Sequence, residues 1–430
     1  MEGNIMKEKI TGYFDKLSPF FDKLGNNAYL KSISGAMMGT LGPILIGSIA
    51  VLLLVLPNSL PALSFLAGFA NVFSKLNQIT IGSMAVYVVV LMAYHLVKNL
   101  RPSEDGISAA IIALLSFFII TPLGTTTDEV SAIPATWLSA QGVFSAMIVG
   151  LVSGRVYIWL KDKGWTIKMP AGVPPMVTKV FESILPTVLI SVLFIVLNSL
   201  FEATSFGNMH QFVYSIIQEP LQGIGGSISA VILISLIQQV LWFFGIHGTN
   251  VVMPIVQALW MAMDVENLNA VAAGQTPPNI TGYAFFMIIT WSGMGLGLAL
   301  LMLRAKSKQY RETGKVAIVP ALFGITEPLI FGTPLVLNFK LAVPFITNNS
   351  IALILAYVLT RFGFVARFTG VTAIFGLPIG FHAAVQGKLS IIILQLFIQL
   401  ILSPILWYPW FKKLDKETYQ LEQAALKEKV

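Results

Sequence analysis

Apolar runs of membrane-span length alternate with short polar connections along almost the whole chain. With about 20 apolar residues needed for one crossing of a bilayer core, clear spans fall near 30–56, 79–98, 106–122, 139–160, 178–201, 223–244, 281–304, 341–360 and 386–409. A shorter apolar piece at 61–74 reads as half of a bent second helix. The pattern predicts an all-α polytopic membrane protein with about ten transmembrane helices. Two further apolar segments do not fit plain helices. Residues 316–339, VAIVPALFGITEPLIFGTPLVLNF, carry Pro320, Gly324, Pro328, Gly332 and Pro334, all of which interrupt helices. Residues 245–263 begin GIHGTNVVMP, with Gly245, Gly248 and Pro254. Irregular backbone at membrane depth survives only where protein covers it or where it lines a wet cavity. These segments are therefore the first place to look for a site.

Composition strengthens this picture: 56% of the 430 residues are hydrophobic and 11% are charged, against roughly a quarter charged in soluble domains. The net charge of +7 is not a nucleic-acid signal, because the cations gather in short segments between apolar runs. They fall at Lys7 to Lys23, at Lys98 and Arg101, at Arg155 to Lys179, at Arg304 to Lys315, and from Lys412 onward. By the positive-inside rule these segments are cytoplasmic, which puts both termini inside. Residues 123–138, with Asp128 and Glu129 and no cation, then face outward. Parity requires 245–263 to supply one net crossing, irregular at its start, and 316–339 to enter and leave on the cytoplasmic side as a re-entrant hairpin. Arg361 and Arg367 fall outside in this scheme, against the rule.

Four regions follow. Residues 1–27 read as a cytoplasmic amphipathic segment, with Phe14, Leu17, Phe20, Phe21 and Leu24 at helical spacing between lysines. Residues 28–204 are regular spans suited to a scaffold and to dimer contacts. Residues 205–411 hold both irregular segments and the transport chemistry, and 412–430 form a cytoplasmic tail. Gly35, Gly39 and Gly42 make a small-residue face that serves either a dimer seam or packing within the chain.

Glu327 is the leading candidate for site chemistry, as a carboxylate in apolar surroundings. Pro328 biases it away from helical backbone, toward the interruption. The second constellation is WFFGIHGTN, with Trp242, His247 and Asn250. An imidazole and an amide both donate and accept hydrogen bonds, which suits hydroxyl recognition, and the indole offers a flat face for a sugar ring. Thr326, beside Glu327, joins the substrate-binding set. His382, after the glycine-rich run GLPIGF, approaches from the opposite side. His95 and His210 read as structural, Lys179 and Glu182 as interfacial, and Lys340 as snorkelling. The chain has no cysteine, no HExxH and no Walker A sequence, so no metal, cofactor or ATP hydrolysis is expected.

GIHGTN, the pentapeptide GITEP about 80 residues later, and the whole hydropathy profile resemble enzyme IIC (EIIC) of the bacterial phosphoenolpyruvate-dependent sugar phosphotransferase system (PTS). Within that system the similarity is to the lactose, cellobiose and diacetylchitobiose family, over about residues 28–411. The resemblance implies a homodimer in the bacterial cell membrane. It implies a C-terminal transport domain whose two re-entrant hairpins hold a disaccharide. Glu327 and His247 are then expected to engage the hydroxyl that is phosphorylated, as catalytic residues, with Trp242 and Asn250 holding the sugar. The phosphoryl donor is a cytosolic partner, EIIB, which carries it on a cysteine. With no cysteine here, that domain is expected on another chain, which points to cellobiose or a chitobiose-like substrate. The residues alone leave a proton- or sodium-coupled sugar transporter open as the alternative.

Overall fold

The computed structural model describes Pro19, Lys23 and residues 26–59, 61–125, 130–170, 172–333, 335–372 and 377–427. At several helical positions, Asn250 and Glu327 among them, only the backbone is described. The expected amphipathic helix at 1–27 falls almost entirely outside these residues, and the acidic pair Asp128 and Glu129 lies wholly outside them.

Among the described residues the regular structure is all helical apart from a two-stranded ribbon that pairs Gly124–Thr125 with Ser131–Ala132. Among the described residues, eight helices are long and apolar enough to cross a membrane, and a broken pair, Met209–Gly225 with Ile228–Phe243, passes the same test together. The shorter apolar helix Gly106–Ile120 adds to these. Packing divides the described residues into two compact units, one of those within 22–225 with 253–275, the other of those within 226–252 and 276–430.

The first unit contains α1 (Ala28–Gly39), α2 (Leu41–Ser59), α3 (Ala70–Ile79), α4 (Met84–Leu100), α5 (Gly106–Ile120), α6 (Val143–Asp162), α7 (Pro175–Glu202) and α8 (Met209–Gly225). Its centre is α4, whose Val88, Val89, Met92, Ala93, Leu96 and Val97 are fully buried. The glycine face of α1 is used within the chain. A Cβ on Gly35 would meet the His95 ring at 2.9 Å and one on Gly39 the Leu91 side chain at 2.8 Å, whereas Gly42 has nothing within 4 Å. His210 is structural: Thr121 Oγ1 lies 2.9 Å from its Nε2, and its ring stacks on Trp137. Lys161 Nζ bridges Glu104 at 2.6 Å and Glu182 at 3.1 Å, so Glu182 is an ion-pair partner.

The second unit contains α9 (Ile228–Phe243), the start of α10 (Gly248–Ala272), α11 (Tyr283–Ile289), α12 (Gly295–Met302), α13 (Lys308–Leu322), α14 (Glu327–Gly332), α15 (Ala342–Arg361) and α16 (Leu389–Lys427). The run at 223–244, expected as one span, breaks at Gly226–Ser227, where Ser227 Oγ accepts the Ala230 N–H and caps α9. The run at 281–304 passes as one span over Tyr283–Met302, as expected, but it is interrupted at its middle. Ser292, Gly293 and Met294 take φ of 55°, 54° and 60°, a left-handed turn separating α11 from α12. Residues 245–263 are irregular at their start, as expected, and helical from Gly248.

The 316–339 segment breaks at a different point from the one its prolines suggest. Pro320 sits inside the last turn of α13, and the interruption comes at Phe323–Thr326, where Gly324 has φ +83°. Pro328 lies in the first turn of α14, where its missing N–H costs nothing, so it starts a helix at Glu327 instead of holding Glu327 out of one.

α16 runs for 39 residues, about 58 Å at 1.5 Å per residue and roughly twice a bilayer core. Its polar end from Lys412 therefore projects beyond the apolar part. There it grips the start of α13. Asp415 accepts the N–H groups of Lys306 and Ser307, each at 2.9 Å. Glu422 accepts those of Lys308 and Gln309 at 2.9 and 3.0 Å and the Ser307 hydroxyl at 2.8 Å. Such first-turn donors have no partner within their own helix. Lys340 pairs with Glu417 on the same stretch. Arg367 donates to the carbonyls of Pro277 and Pro278, both at 2.8 Å, and Arg361 to the Tyr357 hydroxyl at 3.1 Å.

Candidate functional site

The interrupted segments of the second unit converge on a cavity of about 300 Å³, at the lower end of the range for small-molecule sites. α9 contributes Gln238, Gln239 and Trp242, the turn after it His247, and α10 Thr249. Gly248 is required there by close approach: a Cβ would lie 2.1 Å from the Gln238 carbonyl oxygen. The glycine on this side of His247 thus brings two helix ends together. The Trp242 and His247 rings lie 4.2 Å apart between centroids at 47°, and the indole N–H donates to Thr249 Oγ1 at 3.4 Å.

The α13–α14 turn contributes Gly324 and Thr326. The positive φ of Gly324 favours glycine, and a Cβ would strike the Trp291 indole at 2.6 Å. Two backbone bonds tie this hairpin down. Leu337 N–H donates to Phe243 O at the end of α9, and Ile379 N–H to Leu322 O at the end of α13, both at 2.9 Å. The left-handed turn supplies Trp291 and Ser292, α15 supplies Phe345 and Asn349, and α16 supplies Trp407.

Three of the residues singled out by sequence, Trp242, His247 and Thr326, line this one cavity. Glu327 opens α14 directly after Thr326, and Asn250 follows Thr249 in α10; their side chains lie outside the described atoms. His382 is not among the described lining residues. It sits on a one-turn helix, Phe381–Ala384, with its ring 3.9 Å from that of Trp291. Gln395 of α16 steadies this corner. It donates to Ile288 O at 3.2 Å, lies 3.5 Å from His382 Nδ1 and accepts the Gly380 N–H at 2.9 Å.

Sequence reasoning passed over Gln238, Trp291, Ser292, Asn349 and Trp407. Four of them had a signal: QQ in ISLIQQVLWF, WS in ITWSGMG and NN in FITNNSIA are polar interruptions of apolar runs, which in a membrane protein are costly unless used. Among the described lining residues only His247 is ionisable. Aromatic faces combined with amides, hydroxyls and one imidazole suit a neutral ligand with many hydroxyl groups.

Broken helices closing on a polar-lined cavity within an all-helical membrane fold define a polytopic solute transporter. The chain belongs to the family described as "Phosphotransferase system, EIIC", whose model matches residues 34–348. It is 34% identical to the oligo-beta-mannoside-specific EIIC component of Bacillus subtilis, over 96% of this chain and 94% of that one. It is 31% identical to the cellobiose-specific EIIC component of Geobacillus stearothermophilus, over 95% of each. Its fold matches the crystal structure of ChbC, the IIC component of the N,N'-diacetylchitobiose-specific phosphotransferase system. That match has a TM-score of 0.87 at 30% identity and covers 95% of this chain and 98% of that one. The protein is a multi-pass PTS sugar permease of the bacterial cell membrane.

Proposed function

We propose that this permease imports a β-linked disaccharide, of the cellobiose, β-mannoside or diacetylchitobiose kind, and that uptake is coupled to phosphorylation of the sugar by phospho-EIIB. The observation that carries this reading is the meeting of both irregular segments, through Trp242 and His247 on one side and Thr326 on the other, around one hydroxyl-compatible cavity. The sugars in the names of the relatives supply the substrate class.

In this reading an aromatic face, first that of Trp242, holds a sugar ring. His247 and Asn250 orient the hydroxyl to be phosphorylated, and Glu327 accepts its proton. The sugar oxygen bonds to phosphorus as the sulfur–phosphorus bond of the EIIB phosphocysteine breaks, and the thiolate leaves. Residues 28–204 serve as scaffold and homodimer contact, 205–411 as the transport region, and both termini are cytoplasmic. The basic segments 155–179 and 304–315 then face the cytosolic donor.

The test is uptake of radiolabelled cellobiose and diacetylchitobiose into vesicles, with and without phospho-EIIB, followed by chemical analysis of the sugar inside. Sugar phosphate that forms only with EIIB and disappears in Glu327→Gln is the expected result. Unmodified sugar, accumulated without EIIB and lost on adding an uncoupler, would make the protein an ion-coupled transporter.

A further inference from the structure

Four residues of the cavity wall carry a buried polar atom without a hydrogen-bond partner among the described residues. They are Gln238 Oε1, Asn349 Oδ1, Ser292 Oγ and the indole Nε1 of Trp291. The residues are 9%, 1%, 7% and 3% exposed. A buried polar atom left unpaired is costly, so convergence of four on one cavity calls for a physical reason. Other unpartnered atoms, such as those of Ser145, Ser153 and Thr360, are scattered through helix packing. These four come from three separate elements, α9, α15 and the left-handed turn.

Their neighbours are already committed. Gln239, next to Gln238, donates to Phe345 O at 2.9 Å and ties α9 to α15. The Trp291 carbonyl is taken by Gln399 at 2.9 Å. The wall is therefore tied together by backbone carbonyls, while the side-chain groups of Gln238 and Asn349 remain for something else. Two amide oxygens accept, an indole N–H donates, and a hydroxyl does both. Each hydroxyl of a hexose offers one donor and an acceptor, the complement of this set.

We infer that Gln238 and Asn349, with Ser292 and the Trp291 indole N–H, form a hydrogen-bonding subsite that reads the hydroxyl groups of the bound sugar, the two amide oxygens taking hydroxyl hydrogens and the indole N–H meeting a hydroxyl oxygen, and so sets which sugar the permease accepts. The inference rests on the proposed sugar reading of the cavity. It adds specificity residues distinct from the pair assigned to phosphoryl transfer. A site built around hydrogen-bonded hydroxyls rejects analogues lacking them far more strongly than an apolar pocket rejects a missing methylene.

The experiment is equilibrium binding to the purified full-length protein in nanodiscs. Wild-type protein is first titrated with cellobiose, β-1,4-mannobiose, diacetylchitobiose and lactose. Gln238→Leu, Asn349→Leu, Gln238→Glu and Asn349→Asp are then titrated with the tightest binder and its monodeoxy derivatives, thermal melts confirming that each is folded. The leucine variants should lose about tenfold to a hundredfold in affinity, and the acidic variants, which keep an acceptor oxygen, should recover most of it. For each amide, one deoxy sugar should bind wild-type protein weakly yet bind the leucine variant no worse than the parent sugar does. Unchanged affinity in folded leucine variants, or losses identical for every deoxy position, overturns the inference while leaving the transport reading intact. Wild-type protein that binds none of the four sugars overturns both at the first step.

Discussion

The indole N–H of Trp407 donates to the carbonyl of Met294 at 2.9 Å, and the hydroxyl of Ser403, one turn earlier on α16, donates to the same oxygen at 2.6 Å. Met294 is the last of three successive residues with left-handed backbone, a conformation that costs roughly 1–2 kcal/mol at a residue bearing a Cβ. Such a turn persists only where its surroundings over-determine it. Here the surroundings are one stripe of α16: Gln395 reaches Ile288 O, Gln399 reaches Trp291 O, and Ser403 and Trp407 reach Met294 O. A step of four residues drifts around a regular helix. A π-helical stretch at Ile398–Leu402, wider per turn, keeps all four on one face.

Gln399→Leu should therefore remove the α16 donor from the Trp291 carbonyl and cost about 0.5–1.5 kcal/mol, the net worth of a typical hydrogen bond. Trp407→Phe removes one of the two α16 side-chain donors to Met294 O and should cost less. Thermal melts in one detergent check the order. Equal losses for the two would show that the packing of Trp407, and not its hydrogen bond, dominates.

Gly248→Ala and Gly42→Ala should behave oppositely. The new Cβ at 248 would lie 2.1 Å from a backbone oxygen that cannot rotate away, so sugar binding should disappear with the junction of α9 and α10. At 42 the space is open, and alanine should be neutral or stabilise α2 by up to about 1 kcal/mol. If Gly42 instead faces a second copy of the chain, Gly42→Leu should shift the oligomer distribution measured by mass photometry without lowering the monomer yield.

The grip of α16 on α13 should weaken in acid. Hydrogen bonds from the backbone N–H groups of Gln309 and Lys308 hold the Glu422 carboxylate below its ordinary range. A carboxylate with a depressed pKa stabilises the fold above its unfolded pKa, and that contribution fades as pH falls through the folded value. Glu422→Gln should accordingly lower the Tm at pH 7 by roughly 1–3 °C and have little effect near pH 3. A Tm difference that does not change with pH would remove Glu422 from the grip.

The sequence made the helical membrane class legible because apolar runs of span length have one physical outcome in a bilayer. It also made legible the two interrupted segments, since glycine and proline in an apolar run need a reason. The location of each interruption was less visible. Pro320 and Pro328 looked like breakers, but Pro328 sits in the first turn of α14, where proline is tolerated, Pro320 lies within the last turn of α13, and Gly324 carries the turn. The left-handed turn at Ser292–Met294 has only one glycine to announce it. It exists because donors more than a hundred residues away in α16 hold its carbonyls, and a local reading of the chain cannot see them. Gln238 and Asn349 were hidden for a related reason: a polar residue inside a span is conspicuous, but the cavity it faces is set by other helices.

His382 tests whether a residue behind the wall acts like one in it. Its ring lies 3.9 Å from that of Trp291 and stays off the described cavity lining, so its contribution should come from the flat surface it presents to the indole. His382→Phe keeps that surface and should retain sugar affinity within about threefold, whereas His382→Ala leaves a gap behind Trp291 and should weaken binding by about tenfold. His247→Phe, by contrast, removes hydrogen-bonding nitrogens from a residue that lines the cavity and should abolish phosphorylation even though an aromatic ring remains. Equilibrium binding and EIIB-dependent phosphorylation on the same preparations separate the cases. If His382→Phe loses as much as His382→Ala, an imidazole nitrogen of His382 is needed by the sugar, and the α16 corner around Gln395 moves from the support of the site into the site itself.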